Sequence, residues 1–189
     1  MSEAVSFLNG LEVTYNGVTV RDAGMQGMIT LRGNLNSTKL KNVVKKLTGQ
    51  SVPGVRKAHV EDGSGACWMS PDELLVLVPY ADVGSTVTAI EKALNGTHFS
   101  AVNVSDARAY LTVSGASARE VIAKVAPVDL SVGSFASGDF RRTRLAQVAG
   151  AFWLDADGVF HTVCFRSVGH YVFGLMETGA KAGPVRALV

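Results

Sequence analysis

The sequence predicts an α+β fold of two fused βαββ-type lobes, each an antiparallel sheet with helices on one face. Three observations carry that expectation. Strand-like alternation and helix-like apolar stripes follow one another along the 189 residues. The order strand, glycine turn, amphipathic helix, proline, hairpin occurs twice. Gly33 and Gly115 hold equivalent places in the two copies. An antiparallel sheet backed by helices is one of the few ways to bury both apolar surfaces in one core. The expected divisions are an N-terminal arm over 1–25, a first lobe over 26–98 and a second over 99–189, with the seam near residues 95–101.

The first 25 residues are weakly patterned and read as an extended arm. Residues 28–32 alternate, placing Ile29 and Leu31 on one face of a strand, and Gly33-Asn34 makes the turn. Leu40, Val43, Val44 and Leu47 fall at i, i+3, i+4 and i+7, one stripe of a helix that Gly49 and Pro53 stop. Residues 66–69 and 74–78 read as a hairpin around Ser70-Pro71-Asp72-Glu73, where Pro71 presets the turn. The second arm is apolar on both faces, as a covered central strand is. A helix follows with Val83, Val87, Ile90 and Leu94 as its stripe and Asn95-Gly96 as its exit.

The second copy opens with Ala107, Ala109, Leu111 and Val113 alternating against Arg108, Tyr110 and Thr112. Ser117 and Glu120 have the spacing of a capping box ahead of the stripe Ala118, Val121, Ile122, Val125, and Pro127 ends that helix. Residues 159–165 and 171–176 are expected as the two arms of a further hairpin around residues 166–170.

Composition narrows the function classes. Hydrophobic residues make up 47% and charged residues 18%, against about 25% charged in an average soluble domain. Either a generous core or a surface covered by partner chains accounts for the deficit. A net charge of +2 gives no case for nucleic acid, and Lys39, Lys41, Lys45 and Lys46 read as a solvated helix face. Cys67 and Cys164 are too few and too far apart for a disulfide framework or a zinc site, and are expected as buried thiols. The first 16 residues lack the basic start and apolar stretch of a signal peptide, and no apolar run reaches the ~20 residues of a membrane span. A cytoplasmic protein that does not engage a membrane is expected.

No dinucleotide or phosphate loop is present, and His59, His98, His161 and His170 show no metal-ligand spacing. His161 reads as a hydrogen-bonded, half-buried strand histidine, and Asp155 and Asp157 with Gly158 as a turn. No catalytic, cofactor or metal residue is therefore assigned. Arg141, Arg142, Phe152 and Trp153 are the candidate docking residues, because aromatics and arginines are enriched in interface hot spots. Strand alternation is expected to leave one of the two rings in the core and the other open to a partner.

An ordered set of segments resembles a known family. Trp68-Met69-Ser70-Pro71-Asp72-Glu73-Leu74-Leu75, Val104-Ser105-Asp106-Ala107-Arg108, Val113-Ser114-Gly115-Ala116-Ser117-Ala118-Arg119-Glu120-Val121 and Pro127-Val128-Asp129-Leu130 resemble the gamma subunit of heterotetrameric sarcosine oxidase. So do Arg142-Thr143-Arg144-Leu145-Ala146-Gln147-Val148 and Phe165-Arg166-Ser167 with Tyr171. More distantly, the strand, Ser-Gly-Ala-Ser-Ala, helix, proline pattern resembles the folate-binding lobe of the glycine cleavage aminomethyltransferase.

The resemblance implies a non-catalytic subunit of an enzyme that oxidatively demethylates sarcosine to glycine, with hydrogen peroxide and formaldehyde or methylenetetrahydrofolate as products. It implies alpha, beta and delta partner subunits that hold FAD, FMN, NAD, tetrahydrofolate and zinc. The alternative is a folate-binding protein of the aminomethyltransferase or iron–sulfur maturation type acting alone. The maturation proteins carry a Lys-Gly-Cys-Tyr-x-Gly-Gln-Glu segment, and neither Cys67 nor Cys164 has that context.

Overall fold

The computed structural model describes residues 4–184. Its first elements are β1 (Glu12–Tyr15), β2 (Val18–Asp22), β3 (Gly27–Gly33), α1 (Thr38–Thr48), β4 (Ala58–Glu61), β5 (Ser64–Ser70), β6 (Glu73–Val78) and α2 (Val83–Leu94). They continue as β7 (Phe99–Asn103), β8 (Arg108–Gly115), α3 (Ala118–Val125), β9 (Phe140–Leu145), β10 (Val148–Leu154), β11 (Phe160–Phe165) and α4 (Gly169–Lys181).

The chain divides into two units. Gln26–Asp106 forms one; the described residues up to Met25 and from Ala107 onward form the other. In the Gln26–Asp106 unit the sheet order is β4-β5-β6-β3-β7, all antiparallel. In the other it is β9-β10-β11-β8-β2-β1, again antiparallel. The order β4-β5-β6-β3 corresponds to β9-β10-β11-β8, so the expected repeat holds for these four strands; β7 and β2 flank them from different points of the chain, and β1 has no counterpart. Both sheets are α+β units with two helices packed on one face.

In the Gln26–Asp106 unit, Ser37 caps α1 by accepting from the Leu40 N–H at 3.5 Å, and Gly49 closes it in the left-handed region at φ 77°. Leu40, Val43 and Val44 enter a core with Ile29, Leu31, Leu74, Val76, Ile90 and Leu94. All six residues of β6 are buried, which is why its sequence shows no alternation.

Four expectations are corrected. The extended arm is not a division of its own: β1 and β2 extend the sheet through pairing of β2 with β8. Their turn, Asn16-Gly17, has φ of 50° and 72°, the two-residue hairpin geometry that Asn-Gly favours. The seam falls after Asp106 rather than after residue 98, because β7 returns to pair with β3 and completes the first sheet.

Residues 171–176 form a helix, not a hairpin arm. Gly169, Val172, Phe173, Met176, Gly179 and Ala180 are buried at helical spacing along α4, and α4 follows β11 as α2 follows β6. Finally, Ser117 makes no side-chain cap. Its backbone sits at φ −105°, ψ 17°, away from the extended geometry that Ser37 adopts and that capping requires. Its carbonyl instead accepts from the Glu120 and Val121 N–H groups.

Candidate functional site

The candidate docking residues lie on β9 and β10, and the structure brings them together in register: Arg141 opposite Phe152 and Arg142 opposite Ala151. The rings do not split between core and surface. Phe152 is 0% and Trp153 2% exposed, because β10 is an interior strand covered on both faces. This corrects their assignment as docking residues. Phe152 packs with Phe135 and Phe160, and Arg141 lies over the Phe135 ring at 5.3 Å. Arg119 lies over Phe160 at 5.6 Å and donates to the Leu130 and Phe135 carbonyls at 2.6 and 2.9 Å. Arg141 and Arg119 therefore bracket an aromatic core, a packing role for guanidinium groups. Arg142 remains exposed on the edge strand β9.

On the opposite face of β10, Trp153 stacks on His161 at 5.0 Å and on Tyr110 at 5.9 Å. His161 Nε2 lies 2.8 Å from Asp155 Oδ2, and its Nδ1 lies 2.6 Å from the Tyr110 hydroxyl. With Asp155 ionised, one neutral tautomer satisfies both contacts: Nε2–H donates to the carboxylate and Nδ1 accepts from the phenol. Asp155 Oδ1 also accepts from the Asp157 and Val159 N–H groups at 3.0 and 2.8 Å, holding the turn between β10 and β11. The histidine is thus hydrogen-bonded and half-buried as the sequence predicts, and the aspartates do form a turn. The sequence does not reveal that Asp155, His161 and Tyr110 are one chain of hydrogen bonds, since Tyr110 is 51 residues from His161. Chemically the chain can fix a phenol proton and an imidazole tautomer.

Both cysteines are free and buried. Burial pushes the Cys164 thiol up to about 11, against a smaller opposing pull from Arg108. Burial alone raises Cys67 further. Neither is a thiolate nucleophile near neutral pH. Among the described residues no group of three or more His, Cys, Asp or Glu is placed to hold a metal ion, and no helix is long and apolar enough to cross a membrane. Open grooves border the Gln26–Asp106 sheet, and two of them are lined in part by Lys, Arg or Asp. One, of about 450 Å³, is lined by Arg32, Asn34, Asp72, His98 and Phe99. The other, of about 550 Å³, runs between Leu35, Lys41, Pro53, Val55 and Trp68.

Two antiparallel sheets that share a four-strand order, each backed by two helices, define an α+β protein of two repeated units. The fold matches a chain of heterotetrameric sarcosine oxidase from Corynebacterium sp. U-96 in complex with pyrrole 2-carboxylate. That match has a TM-score of 0.76 and 21% identity, over 92% of this chain and 90% of that one. It also matches glycine cleavage system aminomethyltransferase T from Bartonella henselae, with a TM-score of 0.60 and 10% identity over 84% of this chain and 45% of that one. No curated protein matches by sequence. The chain belongs to the sarcosine oxidase, gamma subunit family, whose model matches residues 32–182.

Proposed function

We propose that the chain is a non-catalytic accessory subunit of a cytoplasmic heterotetrameric sarcosine oxidase, assembled with alpha, beta and delta chains. The observation that carries this reading is the family match over residues 32–182. In this reading the complex serves sarcosine catabolism, consuming oxygen and yielding glycine, hydrogen peroxide and formaldehyde or 5,10-methylenetetrahydrofolate. FAD, FMN, NAD, tetrahydrofolate and zinc reside in the partner subunits, and the gamma chain contributes surface and scaffold. The low charged fraction, 18%, agrees with a surface that partners cover in part.

The test is co-expression with the large flavin-bearing chains, followed by recovery through a tag on this chain and a peroxide assay. Co-purification is expected, with turnover in the complex and none from this chain alone. Turnover by the isolated chain would overturn the accessory role. The fold shared with aminomethyltransferase T supports the second reading, a free-standing folate binder. Tetrahydrofolate binding by the isolated chain, with no co-purification, would favour that reading instead.

A further inference from the structure

Charge in this chain is segregated. Residues 33–60 hold six Lys or Arg (Lys39, Lys41, Lys45, Lys46, Arg56 and Lys57) and no Asp or Glu. The whole chain nets +2, so the remaining residues net −4. Lys39 donates to the Asn95 carbonyl, whereas Lys41, Lys45 and Lys46 make no ion pair among the described residues. A helix face that serves only solubility usually mixes both signs, and α1 has none of the negative sign.

The basic segment borders the apolar groove of about 550 Å³, which Lys41 itself lines together with Leu35, Val52, Pro53, Val55 and Trp68. Trp68 packs in part against the core of its unit and in part faces the groove. Its indole N–H makes no hydrogen bond among the described residues. Val55 is 66% exposed at the tip of a turn closed by the Lys57 N–H on the Gly54 carbonyl. The next residue, Arg56, is held at φ 60°, a conformation that costs a non-glycine residue energy and that clusters at functional positions. Apolar floor, a tryptophan and a basic border sit side by side.

We propose that this groove docks an acidic polypeptide segment of a partner subunit, with an apolar side chain seated on Trp68 and Val55 and carboxylates facing Lys41 and Arg56. The proposal rests on the reading of the chain as a subunit. Charge complementarity selects the occupant, and the groove selects a polypeptide over a phosphate backbone. Phosphate oxygens would be met by the lysines, whereas Leu35, Val52, Pro53, Val55 and Trp68 together form an apolar seat of the kind that interface side chains fill.

Val55→Asp and Lys41→Glu change side chains at the groove, and Arg144→Glu on β9 is a charge control elsewhere. Each tagged variant is co-expressed with the flavin-bearing subunits, and melting temperature is measured beside recovery of the complex. Val55→Asp and Lys41→Glu are each expected to lower recovery at least tenfold, with unchanged melting temperature, while Arg144→Glu recovers the complex normally. Normal recovery with both groove variants overturns the proposal while leaving the subunit reading intact. Equal loss with Arg144→Glu overturns it as a generic charge effect. Failure of the unmodified chain to co-purify overturns the subunit reading and this proposal with it. Should Val55→Asp lower the melting temperature, Lys41→Glu alone decides. Groove-dependent binding of the unmodified chain to RNA or to anionic vesicles, lost in Lys41→Glu, also overturns it.

Discussion

The hydroxyl of Tyr110 and Nδ1 of His161 lie 2.6 Å apart across the β8–β11 ladder. In register Tyr110 faces Val163 and His161 faces Thr112, so the two are diagonal neighbours, a separation that long aromatic side chains can span. Tyr110→Phe removes one neutral hydrogen bond and should cost about 1 kcal/mol. Asp155→Ala should cost more, because it strips Asp157, Val159 and His161 of their acceptor at once. A double-mutant cycle of Tyr110→Phe with Asp155→Asn in urea should show a coupling of roughly 0.5 kcal/mol or more, carried through His161. Strict additivity would show that the three residues do not act as one network.

Trp153→Ala and Phe152→Ala should both act on the fold. Each deletes a ring buried in the interior strand β10, a change that costs about 3–5 kcal/mol in a packed core. Thermal melts should drop sharply for both, and loss of assembly should follow only from loss of folded chain. A variant that melts like the unmodified protein but fails to assemble would restore that ring to the docking surface.

Much of the first lobe was legible because its signals are local. Ser37, Gly49 and the stripe Leu40, Val43, Val44 mark α1 within a few residues of one another, and Pro71-Asp72 marks a tight turn. The errors arose where the apolar pattern is saturated or the partner is distant. Residues 171–176 are mostly apolar, so period 2 and period 3.6 both fit, and only the correspondence of α4 with α2 resolves it. In the arm, Tyr15-Asn16-Gly17-Val18 carries a local hairpin signal, but its place in a sheet is not legible, because the pairing strand β8 begins 86 positions after β2 ends. For Trp153, alternation was sound, but it cannot tell that a strand is covered on both faces.

Ser117→Ala should be nearly silent, within about 0.5 kcal/mol, because the side chain caps nothing. Ser37→Ala should cost on the order of 1 kcal/mol, because that hydroxyl accepts from the Leu40 N–H. Ile122→Asp places a carboxylate at a position 0% exposed and should cost several kcal/mol, enough to unfold a marginal domain. Chemical denaturation ranks the three; a Ser117→Ala cost equal to that of Ser37→Ala would mean a cap forms in solution.

Alkaline pH should weaken the fold through its thiols. Below the ordinary thiol value of 9.0 both states keep Cys164 protonated, and its burial adds no pH dependence. As pH rises from 9.0 to about 11 the unfolded chain loses the proton while the folded chain keeps it, so stability falls with pH. Cys67, raised further by complete burial, acts with the same sign. Urea midpoints measured across this range should decline, and less steeply in Cys164→Ala. In the native state neither thiol should react with an aromatic disulfide reagent, and reaction should track unfolding.

Asp22 ties the start of the described chain to the sheet. It is 1% exposed, and its Oδ2 accepts from the Ser6 hydroxyl at 2.6 Å and from the Leu8 and Gly10 N–H groups at 3.1 and 3.0 Å. Its Oδ1 accepts from the Gly24 N–H at 3.2 Å. One carboxylate thus satisfies the Leu8 and Gly10 N–H groups of a segment with little regular structure of its own, and the Gly24 N–H beyond β2. Asp22→Asn keeps the shape but turns one acceptor into a donor that faces donors, and should cost about 1–3 kcal/mol. The damage should begin locally at the Leu8 and Gly10 amides, whose hydrogen bonds run to this carboxylate, while Phe7 and Leu8 keep their packing against the core. Hydrogen exchange at the Leu8 and Gly10 amides should accelerate before exchange in α3 or α4 changes. Unaltered protection of those two amides in Asp22→Asn would show that the segment is held by something other than this carboxylate.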